Sequence, residues 1–164
     1  MIPFLKPDII YDTCDVTAIT KEDLEKLKIN AIIFDLDNTI MAPKSGILEP
    51  KIESWLSGIR SKYKSVVLTN NKRMAYLENA EKVLKIPVIG YAKKPWTAGV
   101  LEALKILNEP NDKIVVIGDR PLTDIWLAQR HGFKSILHRA LTADTEPRWK
   151  FFLRKLEWTF VQRK

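Results

Sequence analysis

Four groups of polar residues follow apolar runs in this chain. They are Asp35 and Asp37 in "IIFDLDNTI", Thr69, Asn70 and Asn71 in "SVVLTNN", Lys93 and Lys94 in "YAKKP", and Asp119 and Asp124 in "VVIGDRPLTD". Two unit charges about 4 Å apart repel by roughly 4 kcal/mol at an effective dielectric near 20, so acids that meet at one place need a cation. Hard carboxylate oxygens without His or Cys at ligand spacing favour Mg²⁺ over zinc. Magnesium usually takes one or two carboxylates, several waters and a substrate phosphate. A lysine and hydroxyl or amide donors suit the other phosphate oxygens. A carboxylate nucleophile, a metal and a lysine as charge sinks, and a second acid to move protons make up covalent phosphoryl-transfer machinery.

Bringing these groups together is the task of the surrounding elements. "AIIFDL", "SVVLT" (65–69), "PVIGYA" (87–92), "KIVVIG" (113–118) and "KSILH" (134–138) read as five short strands. Amphipathic stretches at 19–27, 49–63, 72–85, 95–107, 122–132 and 146–162 read as helices. Thr20 and Asp23 form a possible capping pair, Ile52, Leu56 and Ile59 share one face, and Gly132 closes the fifth helix. Near-continuous apolar strands alternating with such helices predict an α/β fold: a Rossmann-like three-layer sandwich around a five-stranded parallel sheet. Ligands of such sheets bind beyond the carboxyl ends of the strands, where strand order reverses. All four polar groups follow strands, so all fall on that rim.

"DLDNT", "LTNN", "KKP" and "GDRPLTD" resemble, in order, the four motifs of the haloacid dehalogenase (HAD) superfamily of phosphatases, subclass IIIA. With "KPDIIYD" near the start and "TEPRW" and "LRKLEW" near the end, nearly the whole chain is similar to the bacterial YqeG family. That family is related to the mitochondrial and plastid phosphatidylglycerophosphate phosphatases. The resemblance implies Asp35 as the nucleophile and Asp37 as the general acid/base, with the Asp37 main-chain carbonyl on the metal. Thr69 and Asn70 match the phosphate-binding motif, and Lys94, rather than Lys93, the lysine that balances charge on the aspartyl-phosphate. Asp35 and Asp119 match metal ligands, supported by Asp124. Arg120 stands where relatives often carry Gln. The implied activity is Mg²⁺-dependent hydrolysis of a phosphate monoester, with phosphatidylglycerophosphate as the substrate and phosphatidylglycerol, a phospholipid and cardiolipin precursor, as the product.

At 164 residues the chain is expected to be one domain, 1–164. About 30 residues separate Asp37 from Thr69 and about 25 separate Thr69 from Lys94, enough for one crossover each and too few for a cap domain. The site should therefore be open, as suits a large or surface-presented substrate. Lys and Arg outnumber Asp and Glu by 27 to 20, a net charge of +7 that favours an anionic partner. The single cysteine, Cys14, excludes an intrachain disulfide. No signal or transit peptide and no membrane-spanning run is evident, so the expected location is cytoplasmic and peripheral to the membrane. His131 and His138 read as structural or surface residues and Cys14 as a packing residue. Lys44, Lys72, Arg73 and Arg120 read equally as anion-binding or merely solvated.

In "TEPRWKFFLRKLEWTFVQRK", Trp149, Phe152, Leu153, Leu156 and Phe160 recur at helical spacing. Six basic residues (Arg148, Lys150, Arg154, Lys155, Arg163, Lys164) against Glu146 and Glu157 give this segment a net charge of +4. A basic helix with aromatic residues fits an anionic membrane surface. The competing reading packs its apolar face on the domain and leaves the charges in water; the two are compatible with Trp149 and Leu153 inward and Phe151 and Trp158 available outside. Nucleic acid ranks lower as a partner, since no recognised binding motif is present. Two other functions compete with the lipid phosphatase: a phosphatase of a soluble sugar phosphate or nucleic-acid end, and a non-catalytic binding or ribosome-assembly protein. The full set of Asp35, Asp37, Lys94 and Asp119 speaks against the latter.

Overall fold

A computed structural model describes residues 4–162. Six parallel strands form one sheet: β1 (Ile9–Tyr11), β2 (Ala31–Phe34), β3 (Lys64–Leu68), β4 (Val88–Ile89), β5 (Ile114–Gly118) and β6 (Lys134–His138), in the order β1-β6-β5-β2-β3-β4. The helices are α1 (Lys21–Lys26), α2 (Pro50–Arg60), α3 (Met74–Leu84), α4 (Ala98–Leu107), α5 (Trp126–His131) and α6 (Arg148–Trp158).

The period of two along the strands sorts the core into two layers. Ile32, Phe34, Val67, Val115 and Ile117 face α2 and α3 through Ile52, Leu56, Ile59, Leu77, Ala80 and Leu84. Ala31, Ile33, Val66, Leu68 and Val116 face α4 and α5 through Val100, Ala103, Leu107, Leu127 and Ala128. β2 lies between β3 and β5 and is buried on both faces. The chain runs from β2 to β3 and β4 on one side, then returns to β5 on the other, which makes the carboxyl end of β2 the switch point.

The sheet has six strands where five are expected. The additional strand, β1, pairs with β6 at the sheet edge. Asp8 anchors its start: its main-chain N–H donates to Ser135 O (3.0 Å), and its carboxylate accepts the Ser135 N–H (2.9 Å). Three residues are too short a run to show alternation in the sequence. α2 opens on Pro50, and α4 and α5 close on Asn108 and Gly132 in the left-handed conformation. The Thr20–Asp23 cap is present, with the Asp23 N–H donating to Thr20 Oγ1 at 3.2 Å.

Between β2 and α2 the chain makes only a loop, 35–49, whose residues Leu36, Ile40 and Met41 are buried in the core. Among the described residues no further element is inserted there.

Candidate active site

Asp35 leaves β2 still on the sheet ladder, its N–H donating to Ile117 O at 2.9 Å. Its carboxylate therefore stands at the switch point, almost fully buried. Oδ1 accepts from Lys94 Nζ at 2.5 Å and Oδ2 from Thr39 Oγ1 at 3.3 Å. Burial raises its pKa to about 6; Lys94 pulls it down and Asp124 pushes it up.

The turn after Asp35 is fixed by Asn38, which holds a left-handed φ of 70° that Asn tolerates. Asn38 Oδ1 accepts from Thr142 Oγ1 (2.6 Å), tying the turn to the segment after β6. This turn aims Asp37 back over the rim. Tyr76 Oη donates to Asp37 Oδ1 (2.8 Å) and Asn71 Nδ2 to Oδ2 (3.1 Å).

Lys94 reaches the acids because the loop after β4 bends twice, with left-handed φ of 51° at Tyr91 and 54° at Lys93. Its Nζ is buried between Asp35 Oδ1 and Asp124 Oδ1, the latter at 2.6 Å. Burial alone would lower its pKa, but Asp124 and Asp35 outweigh it and leave the ammonium held above its ordinary value. Lys93 instead is exposed, its Nζ 5.1 Å from the Tyr91 ring centroid. Thr69 is buried at the end of β3, its Oγ1 accepting the Asn71 N–H at 3.1 Å. Asn70, expected on phosphate, has its side-chain amide on the Lys94 main chain. Its Oδ1 accepts the Lys94 N–H (2.6 Å) and its Nδ2 donates to Lys94 O (3.2 Å), so the amide clamps the lysine's main chain.

Asp119 follows β5 and is 1% exposed. Arg154, from α6, donates to its Oδ2 through Nη1, while Asp119 Oδ1 is buried with no partner among the described residues. Its pKa is raised by burial and by Asp35 and drawn down by Arg154. Asp124 sits in a π-helical turn, Pro121–Ile125, and accepts the Arg120 N–H at 3.1 Å. Gly118 makes room for it: a Cβ there would stand 2.5 Å from Asp124 Cγ, so no other residue fits without a shift.

Asp35, Asp119 and Asp124 each bring an oxygen within 4.8 Å of the other two. The three buried carboxylates face two cations, Lys94 and Arg154, and Asp119 Oδ1 lacks a donor. Acidic excess, hard oxygens and an orphaned acceptor fit a magnesium ion. Sequence reasoning missed Tyr76, Asn38 and Gly118, the bond from Asn71 to Asp37, and the inward roles of Glu146 and Arg154. Of the basic residues left open, Arg120 pairs with Glu157, and Lys72 lies 4.7 Å from the Tyr91 ring centroid. His138 is buried beside Arg139 O (2.6 Å) and His131 stacks on Phe133 (5.6 Å).

α6 corrects one expectation. Trp149 is 62% exposed and Leu153 49%, so neither points inward, while Trp158 packs on the small cluster of Leu5, Ile125 and Leu137. Phe151 is exposed as expected. The helix meets the domain through charge: Arg154 pairs with Asp119 and Glu146, and Glu157 with Arg120. Arg163 and Lys164, counted in the basic tail, lie outside the described residues, as do residues 1–3.

The switch-point rim thus joins an acid pair, a buried lysine and two further acids on a parallel sheet. The chain belongs to the mitochondrial PGP phosphatase family, whose model matches residues 3–142 and stops before α6. It is 29% identical over 161 residues to the chloroplastic phosphatidylglycerophosphate phosphatase 1 of Chlamydomonas reinhardtii, covering 91% of this chain and 59% of that one. It is likewise 29% identical over 123 residues to the probable phosphatase YqeG of Bacillus subtilis (strain 168), covering 75% and 72%. The chain thus spans under two thirds of the algal relative's length. A crystal structure of an uncharacterized protein from Listeria monocytogenes serotype 4b shares the fold, with a TM-score of 0.57 and 14% identity over 78% of this chain and 99% of that one.

Proposed function

We propose that residues 1–164 form one domain that hydrolyses the phosphate monoester of phosphatidylglycerophosphate at a membrane surface, through phosphoryl transfer to Asp35 and with Mg²⁺ as cofactor. The observation that carries this reading is Lys94 Nζ held between Asp35 and Asp124 beside the orphaned oxygen of Asp119. The family and the relatives' names support the substrate.

An Asp35 oxygen attacks phosphorus, and the bond from phosphorus to the glycerol oxygen breaks. Asp37 in its acid form gives the departing alkoxide a proton. As a carboxylate it then takes a proton from water, which attacks the aspartyl-phosphate and releases inorganic phosphate and free Asp35. Lys94 offsets the charge gathered at Asp35, and Thr69 lies at the adjacent strand end to hold a phosphoryl oxygen. Asp35, the Asp37 main-chain carbonyl and Asp119 would hold Mg²⁺, with Asp124 in support. When bound, the ion supplies Lewis-acid stabilisation of phosphoryl charge.

α6 supports the membrane setting. Its outward face carries Trp149, Phe152, Leu153 and Leu156 with Arg148 and Lys150, an interfacial pattern. No helix of the described residues is long and apolar enough to cross a membrane. The test is a phosphate-release panel: phosphatidylglycerophosphate in anionic vesicles, glycerol 3-phosphate, sugar phosphates and phosphorylated oligonucleotide ends, each with Mg²⁺ or chelator. The lipid should be turned over best, and only with Mg²⁺. Preference for a soluble ester would overturn the lipid assignment, and full activity in excess chelator the metal assignment.

A further inference from the structure

Beside the acids, α6 and the segment after β6 enclose a cleft of about 330 Å³. Arg139, Arg154 and Lys155 supply cations to its wall, and Phe151 and Trp158 supply aromatic surface. We propose that this cleft is a second anion subsite that takes the non-scissile phosphodiester of a glycerophospholipid substrate. The inference rests on the phosphatase reading above and deepens it.

Position is the first argument. Arg154 is shared between cleft and catalytic rim, its Nη1 on Asp119 and its Nε on Glu146 Oε2 at 3.0 Å. An anion in the cleft is therefore separated from the acids by a single guanidinium. In a phosphatidylglycerol phosphate headgroup one glycerol unit separates the monoester from the diester.

Charge is the second. Among the described residues Lys155 has no carboxylate partner within 4.0 Å, and it is exposed on the cleft side of α6. The Arg139 guanidinium pairs with Asp12 through Nε and lies 5.2 Å from the Trp158 ring centroid on the cleft wall. Cations over aromatic surface match a diester that joins a polar headgroup to acyl chains. Phe151, 53% exposed, carries the apolar wall out toward the α6 face assigned to the membrane.

The third is an unmet hydrogen bond. Glu146 lines the cleft with its side chain 3% exposed, and its Oε1 is buried without a donor among the described residues. A buried acceptor in that state is costly. The glycerol hydroxyl between the two phosphates is a donor of the right kind.

The experiment uses two soluble substrates. Glycerophosphoglycerol phosphate, the deacylated headgroup, carries monoester and diester; glycerol 3-phosphate carries the monoester alone. Lys155→Glu should lower the ratio of their kcat/KM values about tenfold, mostly through KM of the larger substrate, as expected for loss of a charge-assisted contact. An unchanged ratio overturns the subsite. A defect confined to vesicle-borne lipid also overturns it and assigns Lys155 to the membrane surface. Calorimetry with glycerophosphoglycerol, which has no scissile monoester, needs no turnover: binding to the full chain and its loss in Lys155→Glu support the subsite even if no ester is hydrolysed. No binding to the unsubstituted chain contradicts the subsite whatever the phosphatase assays show.

Discussion

Tyr76 Oη donates a 2.8 Å hydrogen bond to Asp37 Oδ1. The tyrosine stands on α3 and the aspartate on the loop after β2, so the bond fixes an acid/base side chain from outside its own motif. Burial and the Asp37 carboxylate both raise the Tyr76 pKa, so the phenol stays a donor throughout the working pH range. Tyr76→Phe keeps the ring and removes the donor, leaving Asn71 as the remaining one. Single-turnover phosphorylation by an alkyl phosphate should slow about tenfold, a part of the roughly 10²–10⁴-fold that general acid catalysis contributes, since Asp37 itself remains. An aryl phosphate, whose leaving group needs no proton, should be nearly unaffected in the same step. Equal slowing of both would show that Tyr76 acts through packing.

A buried carboxyl held at about 6 makes Asp35 a source of instability in the metal-free protein. Its folded pKa lies above the unfolded value, so its stability contribution is full below about 4 and is lost as pH rises through about 6. In chelator at pH 8, Asp35→Asn should therefore be more stable than the unsubstituted chain, by up to about 3 kcal/mol. The gap should close as pH falls from 6 toward 4, and also on adding Mg²⁺ at pH 8. Denaturant titrations at several pH values check this. Equal stability at pH 8 in chelator would contradict the charge balance described for the site.

Arg154 is the cation that offsets buried Asp119. Arg154→Met keeps the stem and removes the charge. Breaking a buried pair in this way should cost roughly 3 kcal/mol in the metal-free protein. Mg²⁺ should recover more stability in the variant than in the unsubstituted chain. Identical Mg²⁺-induced shifts in Tm would mean that Arg154 does not share the electrostatics of the metal site.

What sequence reading could and could not reach follows from range. Asp35, Thr69, Lys94 and Asp119 were legible because a parallel sheet places every strand's carboxyl end on one rim, so local position along the chain stands in for proximity in space. The Arg154–Asp119 pair joins residues 35 positions apart with no period to announce it, and the arginine's charge looked like one of several on a solvated face. The placement of Trp149, Leu153 and Trp158 was misread for a related reason. Helical spacing finds an apolar face but not which way it points, and here Arg154 and Glu157, three positions apart, turn inward while Trp149 and Leu153 turn out. β1 escaped because three residues cannot display a period.

The proposed reaction turns on Asp35 carrying the phosphoryl group. Acid quenching during turnover of phosphatidylglycerophosphate with Mg²⁺, followed by digestion and mass spectrometry, reads this directly. Phosphate should be found on the peptide containing Asp35, should accumulate in Asp37→Asn presented with an aryl phosphate, and should be absent from Asp35→Asn, which should also release no phosphate. Phosphoryl label on another residue, or phosphate release at the normal rate by Asp35→Asn, would contradict it.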